Sequence, residues 1–284
     1  MPQRRVGVVG LGLIGGSLAK TVVARTPHMV YGFDTDPAVL DAARRDGAVS
    51  GVLTDETLPA CDLVAVALRP GETMEWLRGK APLLEKNQIV FDCCGVKTEV
   101  CRAGFALASR YGFSFFGGHP MAGTERSGYA AARDGLFDGA SMILVPPEGE
   151  SAAARGTLQD FFLALGFGAL TLTTAQEHDR TVAYTSQLAH VVSSAYVKSP
   201  TAQKNRGFSA GSFKDMTRVA LLNERMWTEL FLRNREALGA ELSYLMERLR
   251  EYENALRAGD ETALCRLLRE GRELKTLSEG RETP

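Results

Sequence analysis

Five cysteines, four histidines and two tryptophans are all that the 284 residues hold of these types. The cysteines (Cys61, Cys93, Cys94, Cys101, Cys265) are odd in number and form no CxxC pair, which excludes a disulfide framework and a zinc ribbon. Vicinal Cys93 and Cys94 read as two small residues near a strand end, because free cysteine usually behaves as a buried hydrophobe. His28, His119, His178 and His190 make neither HxxxH nor HExxH, so no metal site is expected. The sequence shows no apolar run long enough to span a bilayer and no charged-apolar-small leader, and it reads as cytoplasmic. Net charge is −1, so no overall field draws the chain to nucleic acid or an anionic membrane. An anionic small ligand must therefore be held by local Arg, Lys or His.

What remains is a soluble globular composition, 45% hydrophobic and 24% charged. Apolar runs at 5–9, 29–33, 63–68, 89–91, 113–116, 141–145 and 169–172 alternate with amphipathic stretches such as 14–25 and 37–46. That alternation predicts βαβ units, hence an α/β fold whose N-terminal Rossmann-type doubly wound, mostly parallel sheet occupies 1–174. Asp36-Pro37 starts a helix, with Asp as N-cap and Pro at the first helical position, and Ser151 caps another. From 175 to 284 the pattern is helical throughout, giving an all-helical C-terminal domain. Within it Leu238, Leu242, Leu245, Leu249, Tyr252 and Leu256 follow a four-three spacing, the seam of a helix packed along another. Two uses fit the seam: the core face of a monomeric bundle, or a helical domain that pairs two subunits into a homodimer.

The chain opens on Val6-Gly7-Val8-Val9-Gly10-Leu11-Gly12-Leu13-Ile14-Gly15-Gly16-Ser17, a strand, a G-x-G-x-x-G turn and a helix. Gly10 allows the tight turn, Gly12 lets backbone approach a pyrophosphate, and Gly15 permits close helix–strand packing. Leu13 and Ile14 begin the helix, whose N-terminal N–H groups and dipole suit phosphate. The second strand ends at Asp34, placed to accept hydrogen bonds from the ribose hydroxyls of NAD and to repel the 2′-phosphate of NADP. The residues after it, Thr35-Asp36-Pro37, offer that phosphate no arginine.

A second motif, Gly117-Gly118-His119-Pro120-Met121-Ala122-Gly123-Thr124-Glu125-Arg126-Ser127-Gly128, follows the apolar run at 113–116. It sets an imidazole at the carboxyl end of a strand, where ligands of open α/β sheets bind. Histidine is the side chain best matched to proton transfer near neutral pH. The bland alternative is a histidine that caps a turn in a glycine-rich loop.

With these motifs in view, the chain resembles the prephenate/arogenate dehydrogenase family of tyrosine biosynthesis over nearly its full length. The resemblance rests on the opening glycines, Asp92 to Lys97, and the His119-Pro-Met-Ala-Gly-Thr-Glu125 run. It continues through Leu136-Phe137-Asp-Gly139, His178-Asp179, Ser186-Gln-Leu-Ala-His190, Phe213-Lys-Asp-Met-Thr-Arg218 and Met226-Trp227. It implies an NAD-dependent oxidative decarboxylation, in which a cyclohexadienol gives hydride to nicotinamide and loses its ring carboxylate. His119 matches the general base that takes the hydroxyl proton. Arg218 matches the arginine that clamps a substrate carboxylate, unless it pairs with Asp215 instead. His190 and Trp227 match substrate-binding positions, Lys214 adds positive charge nearby, and Glu125 anchors the loop or gates the site. Asp92 and Lys97 hold the loop that faces the nicotinamide, and His178-Asp179 reads as a helix-capping pair rather than as catalytic groups.

Two departures stand out. Much of the family reads D-x-G-S-x-K where this chain has Asp92-Cys93-Cys94-Gly95-Val96-Lys97, so Gly95 replaces a serine whose hydroxyl assists the histidine. Gln187 stands in a stretch that often carries a second histidine; as a substrate-binding group it donates and accepts without carrying charge. The expected substrate is prephenate, giving 4-hydroxyphenylpyruvate, with arogenate, giving tyrosine, as the alternative within the class. A β-hydroxyacid or imine reductase and a non-catalytic NAD-binding sensor are the readings outside it. The C-terminal tail is too short for an appended ligand-sensing domain, so any feedback by tyrosine is expected to act at the active site.

Overall fold

A computed structural model describes residues 2–124, 126–204, 207–208 and 210–279. Eight strands form one sheet: β1 (Arg5–Val9), β2 (Met29–Phe33), β3 (Gly51–Val52), β4 (Leu63–Val66), β5 (Ile89–Asp92), β6 (Ser114–Pro120), β7 (Ser141–Val145) and β8 (Ala169–Leu172). Their order is β3-β2-β1-β4-β5-β6-β7-β8. Every pairing is parallel except β6 with β7. Between and after the strands run α1 (Leu13–Arg25), α2 (Pro37–Arg45), α3 (Pro70–Lys80), α4 (Thr98–Tyr111) and α5 (Ala152–Ala164). Then come α6 (Ala175–Val182), a π-helical turn at Ala183–Leu188, α7 (Ala189–Tyr196), α8 (Gly211–Thr217), α9 (Glu224–Arg233), α10 (Arg235–Ala258) and α11 (Glu261–Ser278).

The central strands are apolar on both faces because helices cover both. Side chains alternate across a strand, so Leu63 and Ala65 enter one core while Val64 and Val66 enter the other. Ile89 and Phe91 likewise face away from Val90. The first core collects Leu18 and Val22 of α1 with Leu158, Phe161 and Phe162 of α5, and Phe91 meets Phe162 edge-on at 5.1 Å. The second collects Met74 and Leu77 of α3 with Val100 of α4. Each fully buried side chain of this size contributes about 1.5–3 kcal/mol. The expected caps form: Asp36 accepts from the Ala38 N–H and Ser151 from the Ala154 N–H.

Two elements differ from expectation. Gly51–Val52 is a two-residue edge strand whose sequence has no strand period. β6 does not stop at residue 116: β7 pairs antiparallel with Gly117 to Pro120, so His119 lies inside the strand, opposite Ile143.

The chain divides into two compact units, Met1–Asn234 and Arg235–Pro284. Residue 174 separates sheet from helices, and α6 to α9 belong to the first unit together with the sheet. The second unit is the antiparallel pair α10 and α11, tied by the Tyr252 hydroxyl donating to the Leu267 carbonyl. The leucine seam lies on α10 as one continuous helix, and Leu249 and Leu256 on it are exposed.

Candidate active site

The glycine turn is fixed by sterics. Gly10 has φ +83°, and a Cβ on Gly15 would lie 1.8 Å from the Gly10 carbonyl oxygen. A Cβ on Gly12, by contrast, would meet nothing within 4 Å. The first turn of α1, which Leu13 and Ile14 open, carries no acidic residue. The turn therefore leaves an open cradle beside a positive helix end, which fits a pyrophosphate. Asp34, just past β2, accepts the Leu11 N–H at 2.8 Å and the Asp36 N–H at 2.9 Å, which fixes its carboxylate beside the turn. Gly10, Phe33, Asp34, Thr35, Leu68, Glu72, Glu75 and Trp76 line a cavity of about 290 Å³ there. Its carboxylates oppose an additional phosphate and leave room for an apolar ring against Trp76. Glu72, Glu75 and Trp76 carry no local signature in sequence; only the packing of α3 beside β4 brings them to Asp34.

The second group is built around His119. A Cβ on Gly118 would lie 2.3 Å from the Asp92 carbonyl oxygen, so the residue before the histidine has no room for a side chain. Asp92 is fully buried; it accepts the Gly118 N–H and the Cys94 N–H and forms an ion pair with the fully buried Lys97. That pair locks the 92–97 loop against β6. Burial pushes the thiols of Cys93 and Cys94 well above their usual range, so neither is a ready nucleophile.

His119 Nδ1 lies 2.9 Å from Nε2 of His178, and His178 Nδ1 lies 2.8 Å from Asp179 Oδ1. Asp179 also accepts the backbone N–H groups of Lys97 and Thr98, at 2.7 and 2.8 Å. The pair read as a helix cap does cap a helix, but the distant α4 rather than its own α6. Thr174 caps α6 by accepting the Glu177 N–H. The Thr174-x-x-Glu177 spacing is a capping-box pattern, the one sequence signal that leaves His178 and Asp179 free for other work. Burial, the adjacent His178 ring and the Lys97 ammonium hold the His119 pKa well below its ordinary 6.5, against the opposing pull of Asp179. His119 is therefore neutral at pH 7.

The third group lies on α7 to α9. His190 donates from Nδ1 to the Ser186 carbonyl and stacks on Trp227, with centroids 3.7 Å apart. Burial lowers its pKa, the bond to the Ser186 carbonyl opposes this, and the Arg218 charge lowers it further; the turn that Arg218 opens packs against α7. Arg218 is exposed and forms no ion pair with any described residue, Asp215 included. Lys214, one turn earlier, is also exposed. Gln187 lies in the π-helical turn before α7. It is 1% exposed, and its Oε1 accepts from Asn234, which also donates to the Asp179 carbonyl. It braces the Asp179 segment through Oε1, while its buried Nε2 has no hydrogen-bond partner among the described residues. Glu125 lies outside the described residues.

Helix α9 joins the second and third groups. A Cβ on Gly95 would sit 3.4 Å from Leu230 Cδ2 and 3.9 Å from His119 Nε2. Leu230 is three residues beyond Trp227, on the same helical face. Leu230 thus brings the helix that carries Trp227 up to position 95, where a serine hydroxyl would have approached the imidazole. Glu229 secures α9 by accepting the Gly71 N–H at the start of α3, and Arg233 pairs with Glu229 and with Glu99 in the first turn of α4. Among the described residues no group of histidine, cysteine or carboxylates is arranged to hold a metal ion.

An open parallel sheet, a glycine turn with an open phosphate cradle and a carboxylate fixed past β2 define a nucleotide-binding protein of the Rossmann class. Residues 18–168 match the nucleotide-binding domain of prephenate dehydrogenase and residues 174–270 its dimerization domain. The chain belongs to the prephenate dehydrogenase family, oxidoreductases of tyrosine biosynthesis. It is 30% identical over 267 residues to a cyclohexadienyl dehydrogenase of Zymomonas mobilis, covering 90% of each chain. It is 27% identical over 286 residues to a prephenate dehydrogenase of Lactococcus lactis, covering 98% of this chain and 78% of that one. Among solved structures it is similar to the arogenate dehydrogenase of Synechocystis, with TM-score 0.82 and 26% identity over 96% of this chain and 99% of that one. The fold is also shared with prephenate dehydrogenase from A. aeolicus in complex with hydroxyphenyl propionate and NAD+, at TM-score 0.83 and 24% identity over 97% and 98% of the two chains.

Proposed function

We propose that the protein is an NAD-dependent dehydrogenase that converts prephenate to 4-hydroxyphenylpyruvate and CO2, with His119 as general base. The observation that carries this reading is the environment of His119: a neutral imidazole whose Nδ1 is occupied by His178 and whose Nε2 lies 3.9 Å from where a Cβ on Gly95 would be. NAD, which a relative of the same fold carries, would accept hydride from the carbinol carbon of the ring. Gly10, Gly12 and Gly15 with the α1 N-terminus would hold its pyrophosphate, and Asp34 would take the adenosine ribose. His119 removes the hydroxyl proton as the carbinol carbon becomes a carbonyl. The bond to the ring carboxylate then breaks as CO2, and its electron pair completes the aromatic ring. The proton held by His119 returns to the new phenolate oxygen, so charge and protons balance.

Arg218 holds a substrate carboxylate, with Lys214 adding positive potential and the His190–Trp227 stack forming an apolar and hydrogen-bonding wall. Gln187 braces the Asp179 segment through Oε1 and keeps its Nε2–H groups as donors for the substrate. Exposed Leu249, Leu256, Leu268 and Leu274 on α10 and α11 supply an apolar face for a homodimer.

Parallel assays of NADH formation from prephenate and from arogenate test the substrate. The higher kcat/KM is expected for prephenate; a higher value for arogenate reverses that choice and leaves the base intact. The pH dependence follows from His119. Protonation removes the accepting lone pair, so activity is lost as pH falls through the histidine pKa. Because burial lowers that pKa, the acid limb of kcat/KM, which reports the free enzyme, is expected below the ordinary 6.5. A limb centred above it contradicts a buried, neutral base.

A further inference from the structure

The hydrogen bonds that converge on His119 determine which of its nitrogens carries the hydrogen. A carboxylate can only accept. Asp179 is 4% exposed, and its ionised form is favoured by two backbone N–H donors and by its position at the N-terminus of α4. Despite burial, its bonds to His178 and Thr98 keep its pKa low. His178, 2% exposed, must therefore present Nδ1–H to Asp179 Oδ1. A neutral imidazole has one hydrogen for two nitrogens, so His178 Nε2 is an acceptor. The atom 2.9 Å from it, His119 Nδ1, must then be the donor. The reverse arrangement would set two acceptors face to face at Asp179. His119 Nε2 is left with its lone pair, and Nε2 is the nitrogen that lies 3.9 Å from where a Cβ on Gly95 would be.

We infer that His178 and Asp179 are positioning residues that fix His119 in its Nδ1–H tautomer, making Nε2 the nitrogen that receives the substrate proton. The inference rests on the reading of His119 as the base. It also explains how that base works with glycine at position 95. Orientation and tautomer are imposed from the far edge of the ring, so no hydroxyl is needed beside Nε2 to set them. When Nε2 takes a proton, the new charge is linked through His178 to the Asp179 carboxylate, which offsets the nearby Lys97 ammonium of the buried Asp92 pair.

Nitrogen-15 NMR of histidine-labelled enzyme tests this directly, since only four histidines contribute and His119→Asn identifies the signal of His119. At neutral pH the wild-type His119 should show an unprotonated Nε2 and a protonated Nδ1; a protonated Nε2 overturns the inference. Two variants add a kinetic readout. His178→Gln keeps an acceptor for His119 and a donor for Asp179, so kcat should stay within about tenfold of wild type. His178→Leu removes both, and kcat should fall roughly 100-fold with KM little changed. A wild-type kcat in His178→Leu overturns the inference, and the wild-type spectrum decides it if that variant does not fold. A His119→Asn enzyme that retains turnover overturns the base assignment instead, independently of the tautomer.

Discussion

His119→Asn is expected to lower kcat by roughly 10³-fold, about 4 kcal/mol of transition-state stabilisation, with KM for prephenate nearly unchanged. Asparagine is small enough for the space between β6 and His178, and its amide can still meet His178 Nε2, so the fold should persist. It has no basic nitrogen, so the hydroxyl proton must leave to water as hydride departs. An interaction made only in the transition state acts on kcat, which is why KM should hold. Steady-state kinetics with prephenate, with circular dichroism as the control for folding, check this. A large rise in KM at wild-type kcat would mean that His119 binds substrate instead of moving its proton.

Arg218→Gln should show the opposite pattern, a KM about 100-fold higher and a kcat within severalfold of wild type. Loss of a charge-assisted, two-pronged hydrogen bond to a carboxylate costs about 1.5–3 kcal/mol. The guanidinium makes no ion pair with a described residue, so its charge is available to a ligand. Because Arg218 is exposed, the effect should shrink as salt rises. Lysine at this position should restore part of the affinity, as a point charge lacks the fork geometry of arginine. An unchanged KM in Arg218→Gln would remove Arg218 from the substrate site.

Much of this arrangement can be read along the chain, because the relevant constraints are local. The glycine turn lies within six residues, Asp34 ends the strand that follows, and the strand-length runs are continuous apolar stretches required by a sheet covered on both faces. The rest depends on contacts that no local pattern records. His119 is bonded to a residue 59 positions away, and Asp179 caps a helix whose first N–H groups precede it by about 80. Adjacent His178 and Asp179 therefore read as a local cap, although Thr174 already performs that role for α6. Gln187 aligns with a ligand position, and the π-helical turn at Ala183–Leu188 also sets its Oε1 against Asn234. Trp76 and Leu230 are unremarkable apolar residues in sequence. Helix packing alone places one beside Asp34 and the other over Gly95.

The central claim, that this protein oxidises and decarboxylates prephenate with NAD, is tested most directly by supplying both and measuring NADH and CO2 together. The expected result is equal amounts of the two, formed at neutral pH. No NADH anywhere between about pH 6 and 9, where a histidine base held below its ordinary pKa is unprotonated, while NAD still binds, would contradict it.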